Sequence, residues 1–306
     1  HAHRLRNFLH HGRQPQKADF AMSKIASNEE FDGHNLRKAI DYFCHLAVAP
    51  EFYESIHNND QEFSKTEYFK RMEWLKDEND DLYDPSYSDL LRVAYISRFS
   101  RGQLSELVAL LSGRNFKTRT FEIDIARDAF ANLRGGVMDF MNKTRFSKFL
   151  MILRSAGFID SSLIAGKAPL NFAYALYLKL RIENYNQDSI ESYVRRWFVL
   201  SLLTRRYSGS METRFDHDIR GIDEDGIESY LQSIEKVVLS EDFWSTGLVQ
   251  DMQTSNKKSP AILCYFASQV KNKSNGFLSR DITVYDMITH MGDIHHFYPK
   301  DYLKKT

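Results

Sequence analysis

Two adjacent histidines, His295 and His296, sit in the string Asp293-Ile-His-His-Phe-Tyr-Pro299-Lys300, beside a turn-forming proline and a group of lysines. Neutral imidazole ligates divalent metals and also titrates near neutral pH, so a histidine pair can supply both a metal ligand and a general base. In an extended segment successive side chains point to opposite sides, which favours a division of labour over two neighbours sharing one ion. One ring would hold the metal while the other addresses a water or a substrate phosphate. Pro299 would then end the strand and start a turn or helix. By composition alone, the same pair also fits an exposed surface or a packed core.

Other groupings of reactive residues have simpler readings. Asp216-His217-Asp218 has the residue types of a triad or metal site, but side chains so close on one turn cannot all converge. A local hydrogen-bonded turn, or a salt bridge to Arg214 or Arg220, accounts for them. Cys44-His45 falls inside a helix and reads as a packed cysteine rather than a nucleophile. Arg134-Gly-Gly136 reads as a helix C-cap rather than a phosphate cradle. Arg195, Arg196, Arg205 and Arg206 fit a phosphate-binding face and a set of snorkelling or ion-paired side chains equally well. The acidic run from Asp77 to Asp84 reads as a solvated linker, with an acidic metal site as the alternative.

The elements that must position these residues are helices. The 306-residue chain has only 14 Gly and 6 Pro, a scarcity of breakers that favours long helices over a turn-rich β architecture. At this length roughly 74% of the extended-chain surface can be buried, which supports a substantial core and excludes disorder. The 41 basic and 41 acidic residues balance, which argues against a uniformly basic nucleic-acid glove and leaves a local basic face open. Two distant cysteines without a CxxC pair suggest reduced thiols in a cytoplasmic protein. The longest apolar run, Trp197 to Leu203, is far shorter than the ~20 residues that cross a bilayer, so no membrane partner is expected.

A 3.6-residue period predicts helices over Leu36–Leu46, around Leu90–Tyr95, over Leu104–Leu111 before Gly113, and from Glu122 to Leu133 before Gly135-Gly136. Further helices are predicted over Phe146–Ala156, Phe172–Leu180, Ser189–Leu203, Ile222–Val238 and Pro260–Val270. The Ser189–Leu203 segment is apolar around most of its circumference and is expected at the centre of an irregular multi-helix bundle. No repeat of 34 or 40 residues is found. Lys271–Gly276 reads as a boundary.

The string from Asp293 to Leu303 resembles the opening of the HNH nuclease domain at the C-terminal end of GmrSD-type restriction proteins, where a His-His-Ile-Phe-Pro-Lys pattern recurs. A second string, Arg196-Trp-Phe-Val-Leu-Ser-Leu-Leu-Thr-Arg-Arg-Tyr-Ser-Gly-Ser-Met-Glu-Thr-Arg-Phe-Asp-His-Asp-Ile219, is similar to the helix and loop of that family's middle region. The resemblance implies a ParB-like nucleotide-hydrolysing domain, a helical middle and a ββα-metal nuclease that cuts foreign or modified DNA. His295 then falls at a metal ligand, for Mg2+ or another divalent cation, and His296 at the base that activates water. Lys300, Lys304 and Lys305 fall where they can lie beside the DNA backbone, or simply be solvated.

Residues 1–276 are accordingly expected to be a helical middle domain, with 1–28 a candidate arm from a preceding domain. Residues 277–306 are expected to open an incomplete HNH unit with a short strand. The motif departs from the family in having Phe-Tyr for Ile-Phe, and neither the further Asn and His, Asn or Lys ligands nor the N-terminal nucleotidase signature occurs in this sequence. The chain thus reads as an excised piece of a longer protein, without cleavage activity by itself. A non-catalytic helical module that senses DNA or couples a nucleotide-hydrolysing domain to an effector is the alternative.

Overall fold

The computed structural model describes residues 14–77, 82–254, 256, 258–276 and 279–289. The chain is mainly α-helical, in keeping with its few breakers. The first helices are α1 (Lys17–Ala26), α2 (Gly33–Val48), α3 (Tyr53–Asn59), α4 (Gln61–Ser64), α5 (Glu67–Met72) and α6 (Tyr87–Phe99). The middle of the chain forms α7 (Leu104–Leu111), α8 (Ile123–Phe140), α9 (Lys143–Ser155), α10 (Lys167–Ile182) and α11 (Gln187–Leu203). Then come α12 (Met211–Asp225), α13 (Ile227–Val238), α14 (Leu248–Met252), α15 (Pro260–Lys271) and α16 (Val284–Thr289).

Local sequence sets many of the helix ends. Ser86 and Asp89 form a capping box at the start of α6, and Asn142 and Asn186 accept hydrogen bonds from backbone amides at the starts of α9 and α11. α7 stops where Gly113 takes φ +85°, with Gly113 N donating to Leu110 O and Arg114 N to Ala109 O. That pair of bonds satisfies carbonyls that the helix end would otherwise leave open.

α10 lies at the centre. Every residue from Pro169 to Leu180 is buried, because α6 and α11 pack along it and α9 closes a further side. α6 in turn packs on α8 and on α2, and α1 lies across α2 and α7. Each large apolar side chain so buried stabilises the fold by roughly 1.5–3 kcal/mol. The residues joining these helices are largely aromatic: Tyr174 lies 4.6 Å from Phe149 and 4.9 Å from Phe140 between ring centroids, and Phe43 meets Phe140 edge-on at 5.6 Å.

A helix encased on all sides must satisfy its polar groups within the protein. Asn171 accepts from Tyr83 Oη at 2.7 Å and donates to Asp89 at 2.7 Å, in the capping box of α6. Tyr174 donates to the Phe140 carbonyl at the end of α8, at 2.8 Å. Lys179 reaches Asp223 of α12 and Glu183, each at 2.7 Å, and Ser100 at 3.0 Å. Burial works against its charged form, but the bonds to Asp223 and Glu183 outweigh this and hold its pKa above the ordinary lysine value.

Several sequence expectations are corrected. α8 does not end before Gly135 but continues to Phe140, because Gly136 lets α6 come close: a Cβ there would lie 2.9 Å from the Ala94 carbonyl oxygen. The pattern over Ile222–Val238 is two helices, broken at Gly226 with φ +77°. The helix buried around its circumference is α10, from Pro169 to Leu180, whereas α11 keeps Arg195 and Arg196 on a part-exposed side. The acidic run is not solvated throughout, since Leu82 and Tyr83 belong to the core. Ala18, Ala21, Met22 and Ile25 of α1, in the stretch read as an arm, are also core residues. The strand expected near His295 lies outside the described residues. Among the described residues there is no strand, only two isolated bridges, Arg114 to Phe121 and Asn275 to Thr283.

Asn171→Leu strands both Tyr83 Oη and one oxygen of Asp89 inside the core and is expected to cost about 2–4 kcal/mol, against about 1 kcal/mol for Tyr83→Phe. Urea denaturation measures both; equal losses would show that Asp89 does not depend on Asn171.

Candidate functional site

The string Arg196–Ile219 folds as the second half of α11, a tight turn and the first half of α12. The turn is made by Arg205, whose φ of 51° ends α11, with Arg206 N bonded to Ser201 O at 3.0 Å and Arg205 N to Leu202 O at 3.1 Å. This geometry turns Arg206 back into the core. Its guanidinium grips Asp218 through two bonds, Nε to Oδ2 at 2.8 Å and Nη2 to Oδ1 at 2.5 Å, and it lies 5.3 Å from the Trp197 ring centroid. Tyr230 Oη donates to Asp218 at 3.1 Å, and Trp197 Nε1 donates to Tyr207 Oη at 2.9 Å. Phe172, Trp197 and Tyr230 stack in sequence, at 5.4 and 5.9 Å between centroids. A largely buried, bidentate pair of this kind fixes one geometry, and losing Arg206 leaves the buried Asp218 charge uncompensated.

The neighbouring candidates do not form a catalytic group. Asp216 accepts from Gly102 N at 2.9 Å and pairs with Arg220 at 2.9 Å, as one of the expected ion pairs, but it lies within helix α12 rather than a turn. Asp218 pairs with Arg206 rather than with Arg214 or Arg220, because the αL turn brings Arg206 to it. His217, 63% exposed, brings Nδ1 to 3.5 Å from Asp218 Oδ1 and 3.1 Å from Tyr230 Oη, whereas Asp216 is held apart by Gly102 and Arg220, so the three do not share one centre. Cys44 lies within α2, and both cysteines are free thiols raised above the usual cysteine pKa by burial.

The four arginines do not converge on a phosphate. Arg196 binds Glu235 through two bonds at 3.0 and 2.5 Å, and Arg195 reaches Ser155 at 3.4 Å. Arg205 stands 3.7 Å from Asp251, on the wall of a cavity of about 330 Å³ that also meets Gly166, Lys167, Tyr207 and Ser208. Lys167 Nζ donates to the Asp84 carbonyl, so both cations on that wall are already engaged.

His295, His296, Lys300, Lys304 and Lys305 lie outside the described residues, and so does any ion they would hold. Among the described residues no three His, Cys, Asp or Glu side chains are grouped to hold a metal, and no helix is long and apolar enough to cross a membrane. One stretch escaped sequence reasoning. Between α7 and α8, Arg114, Phe116, Lys117, Arg119 and Phe121 interleave cations with aromatic rings, and that alternation was the available signal. Comparison with known protein families, with curated proteins and with solved structures finds no match.

The arrangement around Asp218 has a pH signature. Burial, followed by the charge and hydrogen bond of Asp218, pushes the Tyr230 phenol up to about 12, against about 10 in an unfolded chain. The folded state therefore favours the protonated phenol. Its contribution is complete below about pH 10 and is lost as pH rises towards about 12. Tyr230→Phe should cost about 1–2 kcal/mol at neutral pH and make the alkaline decline in stability shallower. Urea titrations at pH 8 and pH 11 measure this, and an unchanged alkaline slope would contradict it.

Proposed function

We propose that the chain is the helical middle and the opening of the HNH unit of a metal-dependent DNA endonuclease that restricts foreign or modified DNA. The observation that carries this reading is the order of the two strings, Arg196–Ile219 followed by Asp293–Leu303. In the structure the first string's Arg206 and Asp218 meet in one buried pair.

His296 would take the proton from the attacking water, and His295 would ligate Mg2+ or another divalent ion. Such an ion neutralises the charge that develops on the scissile phosphate and its leaving oxygen. Lys300, Lys304 and Lys305 would follow the backbone phosphates. The family pattern requires an Asn and a further His, Asn or Lys to complete the metal site, so the activity is proposed for a protein that supplies them.

A second reading has a specific observation behind it. α12 is tied to α6 and α7 through Asp216 and Gly102, and to α10 through Asp223 and Lys179. A displacement of this unit would therefore reach the centre of the bundle, as a module coupling a nucleotide-hydrolysing domain to an effector requires.

In a chain extended with the remaining ligands, His296→Ala should lower Mg2+-dependent DNA cleavage by about 100-fold or more while leaving metal binding intact. His295→Ala should abolish metal binding in calorimetric titration. Undiminished cleavage by the His296→Ala protein would remove the base assignment.

A further inference from the structure

The connection between α7 and α8 is a closed, ordered loop. Arg114 and Phe121 face each other in an antiparallel bridge, and Glu122 N donates to Gly113 O at 2.8 Å and Asn115 N to Thr120 O at 2.9 Å. Gly113 is required at the base, where a Cβ would lie 2.5 Å from the Glu122 carbonyl oxygen. At the tip, Asn115 Oδ1 accepts from the amides of Lys117 at 2.9 Å and Thr118 at 3.2 Å, and Arg119 turns the chain at φ 63°.

The loop's only carboxylate, Glu122, is exposed but bonded to the loop's own polar side chains. Glu122 accepts from Thr120 Oγ1 at 2.8 Å, from Asn115 Nδ2 at 2.9 Å and from Thr118 Oγ1 at 3.4 Å. Arg114, Lys117 and Arg119 remain exposed, and none of them pairs with a carboxylate among the described residues. Phe121 is 69% exposed and Phe116 is 40% exposed, with the Arg101 guanidinium 5.1 Å from the Phe116 ring centroid.

Arg114, Lys117 and Arg119, without ion-pair partners among the described residues, leave the loop with a net positive charge even with Glu122 counted, and a ring as exposed as Phe121 gains nothing from the core. A ligand with regularly spaced anions and flat apolar faces relieves both. An unpaired nucleic-acid strand has that chemistry, because its phosphates attract the cations and any base can stack on an aromatic ring. An acidic peptide lacks the flat faces. An anionic bilayer would be met by a continuous apolar wedge, whereas Thr118 and Thr120 separate the two rings here.

We propose that the loop 114–122 is a binding site for single-stranded DNA, with Phe116 and Phe121 stacking on bases and Arg114, Lys117 and Arg119 contacting phosphates. This rests on the reading of DNA as the protein's partner and narrows that reading to an unpaired stretch held by the helical region, independently of His295 and His296.

The test is fluorescence anisotropy of the 306-residue chain with a labelled strand of about 12 nucleotides, the matching duplex, and phosphatidylserine-containing vesicles. The single strand should bind most tightly and weaken about 20-fold between 50 and 200 mM salt, as three phosphate contacts require. Lys117→Gln should reduce the logarithmic salt slope by about 0.7. Arg119→Gly should do the same, and glycine suits the positive φ, so the loop keeps its shape. Phe121→Ala should weaken single-strand binding about tenfold and duplex binding less. Strand binding that none of the three substitutions changes would overturn the loop assignment and leave DNA as the partner. No strand binding, or a preference for vesicles, would overturn the loop proposal, while the cleavage measurement on His296→Ala judges the nuclease reading separately.

Discussion

The fold depends on one constraint: α10 is enclosed by protein from Pro169 to Leu180, so its buried Asn171, Tyr174 and Lys179 must be answered from neighbouring elements, while the Tyr177 hydroxyl is buried without a hydrogen-bond partner among the described residues. Asn171 is answered by α6 and the segment before it, Tyr174 by the end of α8, and Lys179 by α12. These bonds do more than avoid the cost of buried, unpartnered groups. Apolar packing alone tolerates rotation and sliding of a helix, whereas three polar contacts to three different helices fix both its rotation and its height.

The same economy of charge runs through the region around α11 and α12. Arg206, Arg196 and Arg220 each meet a carboxylate, and the αL turn at Arg205 is what delivers Arg206 to Asp218. An arginine-rich string therefore becomes part of the frame rather than a surface for phosphate. The loop between α7 and α8 differs, because Glu122 bonds to Thr120 and Asn115 and forms no ion pair with Arg114, Lys117 or Arg119.

Much of this frame was legible in the sequence. The period-3.6 stripes over Leu36–Leu46 and Leu104–Leu111 read directly as helices, and Gly113 marked a real helix end because it adopts positive φ. Gly135-Gly136 misled because a glycine pair has two physical uses, and here the need for close approach to Ala94 prevailed over helix termination. The buried role of Tyr83 was hidden by its acidic neighbours, since a polar flank says nothing about a partner such as Asn171, 88 residues away. Local pattern also could not reveal that Arg206 and Asp218 pair, because that depends on one αL residue. The histidine pair was conspicuous from its residue types, but the described residues neither place it nor complete its ligand set.

Hydrogen–deuterium exchange of the native chain tests the role of α10 most directly. If α10 is the keystone, amides from Asn171 to Leu180 exchange only through global unfolding, with a free energy equal to that from urea denaturation, and α11 and the start of α12 open together with them. Exchange of α10 through a smaller local opening, while α11 and α12 stay protected, would contradict it.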